Sequence, residues 1–583
     1  SPPYTNLSPE DVDKLAATGF LRMAPDGTAS PGIDKNVAAN QVVADTLKIV
    51  TSSLLGLTVA CAQCHDHRYD PIAQTDYYRL RAIFEPAFDW KNWRAPSARL
   101  VSLYTDADRA KAKEIEAEAA AIERQRTQRQ NELIEEVFQR ELGKLPEELR
   151  EAARAAREAP AKERTDEQKK LLKEHPSLNV AAGSLRLFDK KAADELDKFT
   201  KEAADVRKRK PPEGFVAALT EVPDKLPPTH LFARGDHEQP KQELKPAELA
   251  ILADSAAAAI PADDASLPTS GRRLAYARWL TSGRHPLVAR VLVNRIWLHH
   301  FGRGLVATTG DFGALGEKPT HPELLDWLAN DLVAGGWRLK RFHKQIMLST
   351  AYQQVSTRNE AQDAVDSENL LYGRKSLMRL EAETLRDTLL AISGKLNMRM
   401  FGTPVPVMAD EVGQFVVGIE NLNAGRPQGV IPLGGEEFRR SVYVQVRRSR
   451  PLSVLAAFDA PLMEPNCESR NSSTVAPQSL LLMNNGFVLE HARDFARRVQ
   501  HEAGDDAEAQ ALLAWRLALG TRPSEERLSE LVAFLEEQAS HFEEMKTEKP
   551  KSKDGKDAVE PELMALASLC QALWSSNTFL YID

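Results

Sequence analysis

Between Thr105 and Lys210 the chain carries a tract that a globular core cannot absorb, rich in Ala, Glu, Lys, Arg and Gln and poor in large apolar residues. Ile115, Ala119 and Ile122 recur at helical spacing, Arg126 and Arg129 interrupt the stripe, and Leu133 and Val137 resume it. Thr105 with Asp108 has the form of a capping box, and Gly143 supplies a C-terminal stop. Phe199, Ala203 and Val206 share one side of a second helix. Two long antiparallel helices, joined by a Pro-punctuated connector around Leu145–Pro176, satisfy this pattern, because a narrow stripe needs only a partner helix to cover it. An interaction arm is the alternative; a solvated helical hairpin is the simpler reading.

The remaining sequence reads as mainly α with a few short β-strands. Asn36–Val59 is expected to be a helix, with Val43, Leu47, Val50 and Leu54 on one face. Asp70-Pro71 forces an extended step, and Thr75 then has the character of an N-cap for a helix turning Leu80, Ile83 and Phe84 inward. Phe215–Thr220 and Thr229–Ala233 read as short strands, followed by a low-complexity linker over Ser255–Pro268. Further helices are expected from Pro286 to His300 and through Leu385, Leu389 and Ile392 to a stop at Gly394. Ser441–Val446 alternates as a strand would. Arg234-Gly235-Asp236 spells a cell-adhesion tripeptide, which in a chain of 583 residues is read as coincidence.

Composition narrows the function classes. With 42 % hydrophobic and 27 % charged residues and a net charge of -8, the chain has neither the basic surface of a dedicated nucleic-acid binder nor a run of about 18 apolar residues able to span a membrane. The opening Ser1-Pro2-Pro3-Tyr4 has no starting Met and reads as the start of a fragment or processed product.

The chemistry concentrates in "TVACAQCHDHRYDP", in a turn between two helices. Covalent c-type haem requires two thiols to add to the haem vinyl groups and an imidazole that reaches the iron from the same turn; Cys61, Cys64 and His65 supply all three. Three rivals stand beside this reading. A zinc site from Cys61, Cys64, His65 and His67 would be cramped, without the distant second ligand pair that structural zinc usually takes. A dithiol of the thioredoxin type would follow a strand, whereas a helix precedes this one, and a structural disulfide at such spacing is unusual. Haem attachment takes place outside the cytoplasmic membrane, so the motif carries an extracytoplasmic expectation. Cys467 and Cys570 could pair there or remain buried thiols. His299 and His300, ending an apolar-faced helix, are candidates for a distal iron ligand, against the plainer role of hydrogen-bonded core histidines.

"GLTVACAQCHDHRYDPIAQTDYYRL" closely resembles the cytochrome-like domain of a family of planctomycete-type secreted proteins. "GRRLAYARWLTSGRHPLVARVLVNRIWLHHFGRGLVATTGDFG", "THPELLDWLANDL", "GGWRLKRFHKQIMLSTAYQQ", "NCESRNSSTVAPQSLLLMNN" and "SSNTFLYID" resemble the planctomycete-specific domain that follows it in those proteins. The resemblance implies export, one covalent haem c on Cys61 and Cys64 with His65 as the proximal iron ligand, and a domain start upstream of Ser1. It implies no settled reaction.

The expected organisation is multidomain: 1–104, the C-terminal part of a cytochrome-like c-haem domain; 105–210, a helical-hairpin or coiled-coil insertion; 211–268, a β-containing connector and linker; and 269–583, an α-rich planctomycete-specific domain. The expected function is that of an extracytoplasmic c-type haem protein carrying electrons, or supporting redox breakdown of extracellular polymers. A redox partner protein follows from that reading, and a polysaccharide if polymers are its target; no nucleic acid is expected. Two alternatives remain: a haem enzyme with an open sixth iron position for peroxide or oxygen chemistry, and a scaffold or glycan-binding module with a structural haem.

Overall fold

The computed structural model describes residues 4–160, 162–253, 260–420, 422–423, 426–427, 431–548 and 560–582. The fold is mainly α, with only two-stranded sheets among the described residues. By its internal contacts the chain forms two compact units: Ser1–Gly19 with Arg99–Ala218, and Phe20–Ala98 with Leu219–Asp583. Residues 255–259 of the expected Ser255–Pro268 linker lie outside the described residues.

The first unit is built around the charged tract. Its neck is an antiparallel pair, Leu100–Ser102 with Phe215–Ala217, extended by a 2.9 Å hydrogen bond from Leu103 N–H to the Gly214 carbonyl. From there the Asp106–Gly143 helix runs 38 residues, its N-terminus closed by the Thr105–Asp108 capping box. That is about 57 Å of helix. The Lys190–Arg207 helix returns antiparallel to it, as the ion pairs record: Glu116 with Arg207 (2.8 Å), Arg129 with Glu195 (2.8 Å) and Arg140 with Asp189 (2.7 Å). These pairs are solvent-exposed, so each contributes at most about 1 kcal/mol. Cohesion comes from the seam beneath, where Ile115 and Ala119 meet Ala203 and Val206, and Leu133, Val137 and Phe138 meet Leu196. The connector is itself structured: helices Glu147–Glu158 and Asp166–Glu174 bury Ala153, Ala156 and Leu172 against the far end of the seam.

In the second unit the Lys35–Val50 helix passes through a single π turn, Thr51–Leu55, and stops at Gly56 rather than continuing to Val59. Gly56 is left-handed (φ +60°) and its carbonyl accepts the Phe312 N–H at 2.7 Å; a Cβ there would meet the Phe312 ring at 2.8 Å. The next helix, Gln74–Phe88, begins before Thr75, because the Asp66 carboxylate takes the Gln74 N–H (2.7 Å) and Asp76 takes that of Ala73 (3.2 Å). Arg81, fully buried on this helix, pairs with Glu85 at 2.7 Å and lies over the Phe232 ring. One core joins these two helices to the Thr229–Phe232 strand and the Arg272–Leu280 helix.

Farther along, the helices Gly486–Ala503, Ala507–Leu519 and Pro561–Trp574 enclose a second core in which Trp574 stacks on Phe495. The alternating Ser441–Val446 segment is not a strand. Ser441–Tyr443 forms a 3₁₀ turn, because the Ser441 N–H and hydroxyl both bind Asp387 (2.7 Å each) and draw the chain onto the Ala382–Ile392 helix. Only Val444 of its three valines is buried. Nearby, burial pushes the Arg386 guanidinium down to about 10, while it donates to the Arg439 and Glu437 carbonyls (2.9 and 2.8 Å). Among the described residues no helix is long and apolar enough to cross a membrane.

Two predictions follow from this architecture. Because the neck holds Leu103 and Gly214 within one hydrogen bond, replacing 105–210 by a short Gly/Ser bridge should leave a soluble chain that unfolds cooperatively; aggregation, or a non-cooperative melt, would show that the tract is needed for folding. The second concerns His491, which is 2 % exposed, between the Phe438 and Phe487 rings and beside Asp494 and Arg386. Burial, above all, holds it below its ordinary value of 6.5. The unfolded chain therefore binds this proton more readily. Stability is fully present above about pH 6.5 and is lost as the pH falls below it. Urea titrations should show a falling midpoint between pH 7.5 and 5.5, and a shallower fall in His491→Phe; equal slopes would remove His491 as a contributor.

Candidate functional site

Val59 and Ala62, almost wholly buried, root the cysteine turn in the core, and the residues between them form the start of a 3₁₀ turn over Ala60–Gln63. Three residues per turn bring Cys61 and Cys64 to the same side. Both are exposed free thiols. Between them the Gln63 carbonyl accepts from Gln74 Nε2 and from the Tyr78 hydroxyl, each at 3.0 Å, and Gln74 Nε2 also reaches the Phe232 carbonyl at 3.1 Å. The turn is thereby fastened to the helix behind it and to the Thr229–Phe232 strand.

The two histidines that follow present opposite nitrogens. His65 is exposed, and its Nδ1 lies 2.7 Å from the Asp66 carbonyl. A carbonyl only accepts, so Nδ1 carries the hydrogen and Nε2 keeps its lone pair, the tautomer in which an imidazole binds iron. His67 is inverted: its buried Nδ1 accepts the Asp70 N–H at 2.9 Å, and its backbone N–H donates to the Ile72 carbonyl at 2.8 Å. It shapes the loop. Asp70 then accepts the Ala314 N–H at 2.7 Å, while Asn466 reaches the Ser52 hydroxyl at 3.0 Å.

An open cavity of about 680 Å³ lies beside Cys64, His65 and Asp66, and its opposite wall is the turn between the strands Thr229–Phe232 and Pro240–Leu244. That turn contains Arg234-Gly235-Asp236. Arg234 (φ 52°, ψ 30°) and Gly235 (φ +80°) are both left-handed, and the Asp236 N–H closes on the Ala233 carbonyl at 3.0 Å. Two positive φ angles in succession mark a mirror-image hairpin turn, which favours Gly, Asn or Asp; holding an arginine there costs roughly 1–2 kcal/mol. Gly235 is constrained for a second reason, since a Cβ on it would sit 2.8 Å from the Cys64 sulfur and one of the two would have to shift.

The other candidates lie elsewhere. His300 Nε2 is 2.8 Å from His343 Nδ1, with Lys375 donating to the His300 carbonyl at 2.7 Å; burial, then His343 and Lys375, hold His300 below its ordinary value. His299 is exposed, 3.9 Å from Glu381. Neither lines the cavity beside His65. Cys467 and Cys570 are not bonded to each other: Cys467 Sγ donates to the Ser469 carbonyl, and burial pushes the Cys570 thiol up. Among the described residues there is no group of three or more His, Cys, Asp and Glu arranged to hold a metal ion.

Comparison with curated proteins and with solved structures gives no match. Two family models match parts of the chain: residues 4–88 match PSCyt2, protein of unknown function (DUF1549), and residues 272–535 match PSD1, protein of unknown function (DUF1553); the hairpin turn at the cavity lies between them.

Proposed function

We propose that the chain is an extracytoplasmic c-type haem protein that carries electrons. The observation that carries this reading is the His65 ring, held in the iron-binding tautomer beside two exposed thiols on one turn. Cys61 and Cys64 would hold the haem c by thioethers and His65 would be its proximal ligand. Bound there, the group would supply an iron that takes up and releases single electrons. The chain's own residues fix the rest: Gln74 and Tyr78 hold the turn, the Asp66 carbonyl orients His65, and the adjoining cavity gives room on one side. Export follows from where thioether formation occurs. The matched ranges contain nearly all of the stretches that resemble the planctomycete-type secreted proteins, which supports the cytochrome-like reading. A redox partner protein, and a polysaccharide if polymer breakdown is served, belong to the same proposal.

A second reading, a haem enzyme with an open sixth iron position, is favoured by the engagement of His300 with His343, neither His299 nor His300 being among the residues that line the cavity.

Made in a host able to attach haem, the denatured chain should carry the mass of one haem. Cys61→Ala or Cys64→Ala should weaken its retention, and His65→Ala should leave the mass but alter the spectrum; an unmodified wild-type mass contradicts the proposal. For the second reading, the reduced protein should bind carbon monoxide and His300→Ala should leave the spectrum unchanged. Conversion from low to high spin in His300→Ala would instead make His300 the distal ligand.

A further inference from the structure

The loop that meets the cysteine segment at Gly56 and Asp70 carries a second cavity, an open cleft of about 340 Å³ walled by Val306, Phe312, Pro319, Pro322 and Leu325. That volume lies at the lower end of the roughly 300–1,000 Å³ usual for small-molecule sites. Its walls are fixed by hydrogen bonds. Buried Asn294 grips both the N–H and the carbonyl of Val306 (2.8 Å each), and the Thr308 hydroxyl donates to the Asp311 carbonyl (2.7 Å) while accepting the Glu317 N–H (2.9 Å). The Phe312 N–H is taken by the Gly56 carbonyl and that of Ala314 by Asp70, both at 2.7 Å. Walls held in this way lose little freedom when a ligand binds.

The charged side chains at this cleft are engaged, with one exception. Arg290 pairs with Asp326 at 2.6 Å, and Glu317 with Arg303 at 3.2 Å. Lys318 alone of the charged lining residues has neither a hydrogen bond nor an ion pair among the described residues. With both acids neutralised, one unbalanced positive charge stands beside an apolar body. A closed cavity of about 150 Å³ accepts a benzene ring, so the volume here admits a ring with a short acidic tail. Phe312 offers an aromatic ring and the two prolines flat pyrrolidine faces, surfaces that suit another ring. We propose that this cleft binds a small aromatic carboxylate, its ring against Phe312, Val306 and Leu325 and its carboxylate on Lys318. The proposal is independent of the haem reading.

Ligand-observed NMR titration of the full-length chain tests this with phenylacetate, neutral phenylacetamide and saturated cyclohexylacetate. Phenylacetate should bind about three- to fivefold more tightly than phenylacetamide, the scale of an ion pair at an exposed lysine. It should bind at least about twofold more tightly than cyclohexylacetate, the scale of a favourable ring pair. Lys318→Gln should remove the preference for charge and leave phenylacetamide binding unchanged. Ala314→Trp, at an exposed position on the cleft wall, should block all three probes while urea unfolding stays cooperative. Failure of the wild type to bind phenylacetate, or equal affinity for phenylacetate and either of the other probes, overturns the proposal. So does a charge preference that survives Lys318→Gln, or phenylacetate binding unaltered in a folded Ala314→Trp. Should Ala314→Trp not fold, the Lys318→Gln comparison still decides.

Discussion

A Cβ on Gly235 would stand 2.8 Å from the Cys64 sulfur, so the hairpin turn lies against the cysteine motif through bare backbone. A glycine suits this approach on two counts, having no side chain to meet the sulfur and a backbone that turns left-handed at no cost. With the turn in place, the Thr229–Phe232 strand lies near enough for Gln74 to bridge the Phe232 and Gln63 carbonyls, and Phe232 packs into the core shared with Tyr78 and Arg81. Moving the turn outward would loosen the wall of the cavity and one anchor of the cysteine turn together.

The motif is also tied to residues far along the chain. Gly56 accepts the Phe312 N–H, Asp70 accepts that of Ala314, and Ser52 meets Asn466. All of these lie in the compact unit formed by Phe20–Ala98 and Leu219–Asp583. The segment matching PSCyt2 thus shares its packing with the segment matching PSD1. A substitution near Phe312 can disturb the cysteine loop without touching it.

How much was legible in the sequence depended on the range of the forces involved. The Asp106–Gly143 helix announced itself through Thr105, Asp108 and an apolar stripe, because capping and seam packing repeat within a few residues. Cys61, Cys64 and His65 were visible as a spacing, and the 3₁₀ turn that brings the thiols to one side is itself local. Where a distant partner decides, local patterns failed. Gly56 ends its helix to meet Phe312, Asp387 bends a segment whose valines alternate like a strand, and Asp66 starts a helix ahead of the expected Thr75 cap. The pairing of His300 with His343 and the contact of Gly235 with Cys64 join residues with no periodic relation, so the role of the hairpin turn at the cavity had no pattern to betray it.

The central claim is that Cys61 and Cys64 both bind one tetrapyrrole covalently. The most direct measurement is the visible spectrum of the reduced chain in alkaline pyridine, after extraction with acidified organic solvent. That treatment replaces the axial ligands, so the band position reports only how many vinyl groups remain. A haem that stays with the protein and shows the two-thioether spectrum is the predicted result. Haem that leaves with the solvent, or a chain matured in a competent host that carries none, would contradict it.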